Sequence, residues 1–470
     1  MNHPANLELG LIGLGTMGMS LLLNMADHGH AVAGYHRNPE KLARIRAAAL
    51  PNLHGFSELA PFVRALRRPR VVMLLVPAGA AVDAVIAELL PLLEAGDFVV
   101  DAGNSFHRDT TRRIGELEPW GIAFVGMGVS GGESGARHGP SMMPGGGAHA
   151  WERLRAVLES VAARAGGEPC VAPMGKGAAG HYVKMIHNGI EYALMQMLAE
   201  CYDVMHRRLG MTNAEMAAEF ARWNAGRLQS FLVEITVTVL GTRDPLGAGE
   251  LIDAVADRAR GKGTGKWTSQ DAMDLGVPVP AIDAAVTARA VSARQAERRR
   301  LAALYPQQPA VRTDRAAALA ALEQAYSAAA WIAYAQGFAQ IDAASREHGF
   351  GTDLATVARI WRAGCIVRAA ILEPIRAAFA SDPALPNLLL DPAVAAALGP
   401  DIAGLRATVC DGAACGLPLP ALAAALAWFD GMRSARLPAN LIQAQRDHFG
   451  AHTYERLDRE GSFHSAWGPA

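Results

Sequence analysis

The sequence predicts an α/β domain on a parallel sheet, then a larger all-helical domain, then a short polar C-terminal tail. Three observations carry this reading. Over the first 175 residues, apolar strand-like runs alternate with amphipathic helical segments. That alternation implies parallel βαβ units with helices on both sheet faces. After Gly175, long Ala- and Leu-rich stretches take over, with few β-branched runs. From about Arg436 the chain turns polar again, with aromatics and histidines spread through it. The boundaries implied are 1–175, 176–430 and 431–470.

The strand candidates of the first domain are Leu9–Leu14, Ala31–His36, Val71–Val76, Phe98–Asp101 and Ala123–Gly126. Helical patterns such as Met17–His28 and Ala80–Leu93 fill the gaps. In the helical domain, FARWNAGRLQSFLVEI from Phe220 resembles VARIWRAGCIVRAAILEPI from Val357. Trp223 and Trp361 each precede an x-Ala-Gly, 138 residues apart. This reads as an internal duplication, two helical halves stacked on each other.

Composition agrees. At ~150 residues per domain, 470 residues make about three domains. Charged residues are 19% and apolar residues 51%, a balance that suits a large core and excludes disorder. Lys plus Arg is 44 and Asp plus Glu is 45. A net charge of -1 gives no global bias toward nucleic acid or an anionic membrane. Five scattered cysteines form no CxxC or CxxH pair, so a reducing, cytoplasmic setting is expected. The N-terminus lacks the layout of a signal peptide. Uncharged 18-residue stretches begin at Leu9, Gln324 and Gly412. Each is interrupted by Gly, Pro or Gln, so none reads as a membrane span.

Gly13-Leu-Gly15-Thr16-Met17-Gly18 follows the first strand and opens a helix, the context a dinucleotide fingerprint requires. Gly13 permits the tight turn, Gly15 a close approach of a pyrophosphate, and Gly18 the packing of helix on strand. The domain is therefore expected to be Rossmann-like. After the second strand the chain reads Tyr35-His36-Arg37-Asn38, with no acidic residue to hold a ribose hydroxyl. Arg37 suits a 2′-phosphate instead, so the expected cofactor is NADP. Two further loops follow strand ends: Asp101-Ala-Gly-Asn104-Ser105, and Val129-Ser130-Gly131-Gly132-Glu133. Their small residues expose backbone N–H groups that can hold a carboxylate.

HYVKMIHNGIEYALMQ, from His181, is helical in pattern. At 100° per residue, Lys184, His187, Asn188 and Glu191 share one face. Lys184 and Glu191 lie roughly 10 Å apart along the axis. That spacing can hold a base and an acid at opposite ends of a sugar-sized substrate, and it equally suits a solvated face with an intrahelical ion pair. Arg260-Gly-Lys262-Gly-Thr264-Gly-Lys266-Trp267 is a basic, glycine-interleaved loop without a P-loop frame. With Arg289 it can bind a phosphomonoester. No HExxH, His/Asp cluster or Gly-x-Ser-x-Gly is present, so neither a metal nor a serine nucleophile is expected.

Taken together, GLGTMG, HRN, DAGNS, VSGGESGARHGPSMMPGG, KMIHNGIEY, GKGTGKW and RLPANLIQAQRDHFGAHTYERLDREGSFH resemble the 6-phosphogluconate dehydrogenase family in its long, homodimeric, NADP-dependent decarboxylating form. The resemblance implies that Lys184 is the general base and Glu191 the general acid. It places Asn104, Ser130, Gly131, Gly132, His187 and Asn188 along the gluconate. Tyr192, Lys262, Thr264 and Arg289 fall at the phosphate. Arg446 and His452 are implied to reach the same phosphate from the partner subunit. Gly13, Gly15, Thr16, Met17, Gly18, His36, Arg37, Asn38, Val76 and Asn104 match cofactor positions. Other β-hydroxyacid dehydrogenases share the glycine motif and a helix-borne lysine, but are shorter and lack KGTGKW and the tail. A non-catalytic NADP-binding protein would have no use for the whole set.

Overall fold

In β1 (Leu9–Ile12), all four residues are buried, as expected of a strand covered on both faces. The computed structural model describes residues 6–261, 263–306, 312 and 314–468. Around β1 it arranges β2 (Val32–Tyr35), β3 (Leu53–Phe56), β4 (Val71–Leu74), β5 (Phe98–Asp101), β6 (Ala123–Ser130) and β7 (Ser141–Pro144). The strand order is β3-β2-β1-β4-β5-β6-β7. The first six strands are parallel neighbours, and β7 pairs antiparallel with β6, Ser130 opposite Ser141. Two cores result from the strand alternation. Leu9, Leu11, Val71 and Met73 face one, and Ile12, Val72 and Leu74 face the other.

The sheet departs from the sequence reading in three places. β3 and β7 were not among the candidates, and β6 runs four residues past Gly126. β3 (LHGF) is short and half exposed, so its pairing with β2 defines it more than its composition does. β7 (SMMP) had no assignment, and the loop expected at Val129–Glu133 starts only after Ser130, because β6 runs through that residue. The strand state of β7 comes from register with the extended end of β6.

The helices of the second domain run from Ala179 to Met432. The Ala179–Asp203 helix leaves the sheet and enters the helical domain, where the 33-residue Arg315–Glu347 helix packs against it. Contact with β6 is possible only because of glycines. A Cβ on Gly180 would lie 2.2 Å from the Met143 carbonyl oxygen, and one on Gly128 2.3 Å from Lys184 Cβ. Trp223 and Trp361 are both buried. The linkers that follow them meet in an antiparallel bridge, Ser230 opposite Ala369. Phe231 N donates to Arg368 O at 3.0 Å, and Ala370 N to Gln229 O at 2.9 Å. The two similar segments therefore face one another across one contact.

Among the described residues, one run, Pro392–Cys415, is long and apolar enough by composition to cross a membrane. It is two helices broken at Gly399–Asp401. The second lies against the Arg315–Glu347 helix so closely that a Cβ on Gly404 would meet Gln324 Cβ at 2.4 Å.

The tail forms the Ala439–Gly450 helix and a small hairpin of Tyr454–Glu455 with Ser462–Phe463. Its composition holds too little clustered apolar surface for a domain of its own. It organises instead around one buried carboxylate, Asp447. Burial works against that charge, but bonds from His464, Trp467, Ser465 and Thr453 outweigh it and bring the pKa down to about 2.

Candidate active site

The cofactor end is built by β1 and the turn after it. Gly13 has φ +103°, and a Cβ there would lie 2.4 Å from Leu75 O. A Cβ on Gly18 would lie 2.0 Å from Gly13 O. Both positions therefore require glycine. Gly15 is different: nothing lies within 4 Å of its Cβ position. It is the N-cap of the Thr16–Asp27 helix, and no side chain caps that end. The exposed Gly15 and Thr16, with half-buried Met17, leave the helix's first N–H groups facing open space. A pyrophosphate fits this cradle, with the helix dipole favouring its charge.

Val76 continues β4 beside Gly13, its Cγ1 3.1 Å from that residue's Cβ position. Asn104 is exposed in the loop after β5. Asp101 holds this loop by accepting from Gly103 N at 3.0 Å and Ser105 Oγ at 2.6 Å. After β2, His36 Nδ1 accepts from Asn38 N at 2.9 Å, and Asn38 Oδ1 caps the Pro39–Ala48 helix through Glu40 N at 2.8 Å. The Arg37 side chain is 70% exposed and pairs with Glu88 at 2.5 Å. The pair is exposed, so solvent screens it.

The Ala179–Asp203 helix packs on β6 and β7. Lys184, His187, Asn188 and Glu191 do share one face. Lys184 Nζ lies 3.3 Å from His187 Nδ1, and His187 Nδ1 lies 3.8 Å from Glu191 Oε2. The other ring nitrogen of His187 sits 3.2 Å from Ser130 Oγ, at the end of β6. Asn188 Nδ2 donates to Thr264 Oγ1 at 3.1 Å. The solvated-face alternative is excluded, because Lys184 is only 6% exposed and His187 fully buried.

Burial shapes the electrostatics. It lowers the Lys184 pKa from 10.5 to about 8, against the opposing pull of Glu191. Burial also raises Glu191, against the opposing pull of Lys184 and Arg289. His187 is pushed well below its usual value by burial and by Lys184. Burial thus favours the uncharged form of the lysine and the protonated form of the glutamate at the two ends of one face, with His187 between them. Among the described residues, no group of three His, Cys, Asp or Glu side chains is placed to hold a metal ion.

Gly131 and Gly132 close the β6 end of the site, with φ +120° and +63°. A Cβ on Gly131 would lie 2.7 Å from Gly364 O, which ties this turn to the helical domain. At the far end the Arg289 guanidinium stacks 3.3 Å over the Tyr192 ring and donates to Arg260 O at 2.9 Å. Thr264 is the first residue of the Thr264–Asp274 helix and is buried, so the basic segment is loop only before it. Lys262 lies outside the described residues. Arg446 and His452 are exposed on the tail, Arg446 donating to Gln443 Oε1 at 3.1 Å.

Sequence reasoning missed two supports. Gly126 and Gly128 alternate along β6 and allow the helix approach; the i, i+2 glycine pair in a strand was the available signal. Trp361 stands edge-on to His187, ring centroids 5.4 Å apart, a contact 174 residues long in sequence that no local pattern could show.

A dinucleotide cradle at the strand ends, with a helix packed on the same sheet that buries a lysine and half-buries a glutamate, defines a nicotinamide-dependent dehydrogenase. Residues 8–177 match the model of the NAD binding domain of 6-phosphogluconate dehydrogenase, and 180–467 that of its C-terminal domain. The chain belongs to the 6-phosphogluconate dehydrogenase family. It is 46% identical to the decarboxylating 6-phosphogluconate dehydrogenase of Lactococcus lactis subsp. lactis, covering 98% of this chain and 99% of that one. Identity to the NADP(+)-dependent, decarboxylating enzyme of Bacillus subtilis is 44%, with the same coverage. The solved Plasmodium falciparum 6-phosphogluconate dehydrogenase superposes with a TM-score of 0.94 at 38% identity, covering 98% of this chain and 100% of that one.

Proposed function

We propose that the chain catalyses oxidative decarboxylation of 6-phosphogluconate to ribulose 5-phosphate and CO2 with NADP+, and that a homodimer completes each site. The observation that carries this is the Lys184–Glu191 helix face, where burial brings Lys184 down to about 8 and raises Glu191. Gly13, Gly15, Thr16, Met17, Gly18, Val76 and Asn104 would hold the cofactor, with His36, Arg37 and Asn38 at its 2′-phosphate. Bound NADP+ supplies the hydride acceptor. Neutral Lys184 takes the proton of the C3 hydroxyl as that carbon is oxidised. The product is a β-keto acid, which loses CO2 readily because the ketone accepts the electron pair. Protonated Lys184 then stands beside the developing enolate oxygen and stabilises it. Neutral Glu191 delivers a proton to C1 of the enediol.

Ser130, Gly131, Gly132, His187, Asn188 and Asn104 line the gluconate in this reading. Tyr192, Lys262, Thr264 and Arg289 take the phosphate, with Arg446 and His452 of a second copy. Following NADPH absorbance with 6-phosphogluconate and, separately, with gluconate tests the reading. Rapid turnover of the phosphorylated acid alone is expected; equal turnover of both would remove the phosphate site from the account.

Two further results are expected. Arg37→Ala should raise the KM for NADP+ by roughly tenfold or more, the loss of a charged hydrogen-bond pair, with NAD+ nearly unaffected. Equal losses with both cofactors would make Arg37 a structural residue. Glu191→Gln should slow turnover and also shift the pH profile. Lys184 must be neutral, so kcat/KM falls as pH drops through about 8. In the free enzyme an ionised Glu191 holds the Lys184 proton on, and Glu191 is protonated only for its own acid step. Removing that charge should move the acidic limb to lower pH. An unmoved limb in the residual activity would show that the two groups do not interact.

A further inference from the structure

The turn between the tail's helix and its hairpin has an unusual backbone. Ala451 (φ +49°) and Thr453 (φ +59°), on either side of His452, are both left-handed without being glycine. Such positions are strained and persist only where surrounding bonds impose them. Here the bonds come from one face of the Ala439–Gly450 helix. Asp447 Oδ1 accepts from Thr453 N at 2.9 Å, and Gln443 Nε2 donates to Thr453 O at 2.6 Å. Thr453 is therefore gripped at both its amide and its carbonyl. The same Gln443 accepts from Arg446 at 3.1 Å. Asp447 also takes His464 Nδ1 at 2.9 Å, Ser465 N at 3.1 Å and Trp467 Nε1 at 2.7 Å, so the chain end closes over it. Asp447 is fully buried, whereas its neighbour Arg446 and His452 are exposed. A buried acceptor that satisfies four donors is organising structure, and what it organises is the turn that carries His452.

We propose that Asp447 is a positioning residue: it locks the Ala451–Thr453 turn so that His452 and Arg446 form a preshaped anion clamp before the tail meets its partner. This rests on the reading of Arg446 and His452 as phosphate contacts of a second copy. The gain from preshaping is that the ordering entropy is spent in folding rather than in binding.

The full-length enzyme tests it through the KM for 6-phosphogluconate. Asp447→Asn leaves one acceptor oxygen where two are used, and should raise that KM roughly tenfold, the loss of an oriented charged contact, with the KM for NADP+ unchanged. Thr453→Gly, which takes the left-handed backbone without strain, should restore part of the loss when added to Asp447→Asn. A raised KM for Arg446→Ala and His452→Ala, beside an unchanged KM for Asp447→Asn, overturns the positioning role alone. An unchanged KM in Arg446→Ala and His452→Ala overturns the phosphate reading and the positioning role with it. If Thr453→Gly restores nothing, Asp447 merely supports the tail's fold and the proposal is wrong.

Discussion

Lys184→Met is expected to abolish measurable hydride transfer and, at neutral pH, to make the protein more stable. The first effect follows from chemistry. A positioned general base contributes roughly 10²–10⁴-fold, and methionine can accept no proton. The second follows from linkage. Burial lowers Lys184 from 10.5 to about 8, so between those values the unfolded chain holds a proton that the folded chain has released. Stability therefore rises with pH through that window, and below about 8 the folded state carries the whole penalty of the buried charge. The penalty is on the order of 3 kcal/mol. Methionine is of similar length and apolar, and should relieve most of it, less the contact with His187 Nδ1 at 3.3 Å. Thermal melts of both proteins at pH 7 and pH 10, with single-turnover NADPH formation, check the two effects together. A variant that is inactive but melts lower at pH 7 would mean that Lys184 is held charged by groups other than Glu191.

How much of this was legible beforehand differs by element. The glycine turn was legible because its constraint is local: a φ of +103° at Gly13 and a 2.0 Å clash at Gly18 leave a glycine signature whatever surrounds them. The face of Lys184, His187, Asn188 and Glu191 was legible because helical period alone places them. What period alone could not decide was whether that face met solvent or the sheet. The deciding contact is Gly128 against Lys184 Cβ, between β6 and a helix more than fifty residues later. β3 and β7 failed for a related reason. LHGF and SMMP acquire strand character from β2 and β6, and nothing within four residues states that partnership. The tail's local structure was not legible because apolar content does not report it: a single satisfied carboxylate, Asp447, supplies the organising centre.

Removing the tail before Leu437 is expected to cripple 6-phosphogluconate binding far more than NADP+ binding. The tail folds locally yet leaves Leu441, Ile442 and Phe449 60%, 61% and 73% exposed. Apolar side chains clustered on one short helix mark a surface that another surface covers. Arg446 on the same helix and His452 just beyond it bring donors suited to an anion, and Arg289 stacked on Tyr192 marks where an anion would sit. In the proposed homodimer a second copy of the chain would satisfy both needs at once, covering the apolar face and bringing the donors to a phosphate. Each charged hydrogen bond to phosphate contributes about 1.5–3 kcal/mol. Losing Arg446 alone should then raise the KM by roughly ten- to a hundredfold, and losing the tail should raise it further. The decisive experiment mixes Lys184→Met with Arg446→Ala under conditions that exchange subunits. Each homodimer is impaired at both of its sites. In a heterodimer, the site whose core comes from the Arg446→Ala chain has an intact Lys184 and receives an intact tail from the Lys184→Met chain. Each heterodimer should therefore show up to about half the activity of the unaltered dimer at low substrate, and a fully exchanged equimolar mixture, half of whose dimers are hybrid, about a quarter. Heterodimers that form and recover nothing would show that each tail serves the chain that carries it.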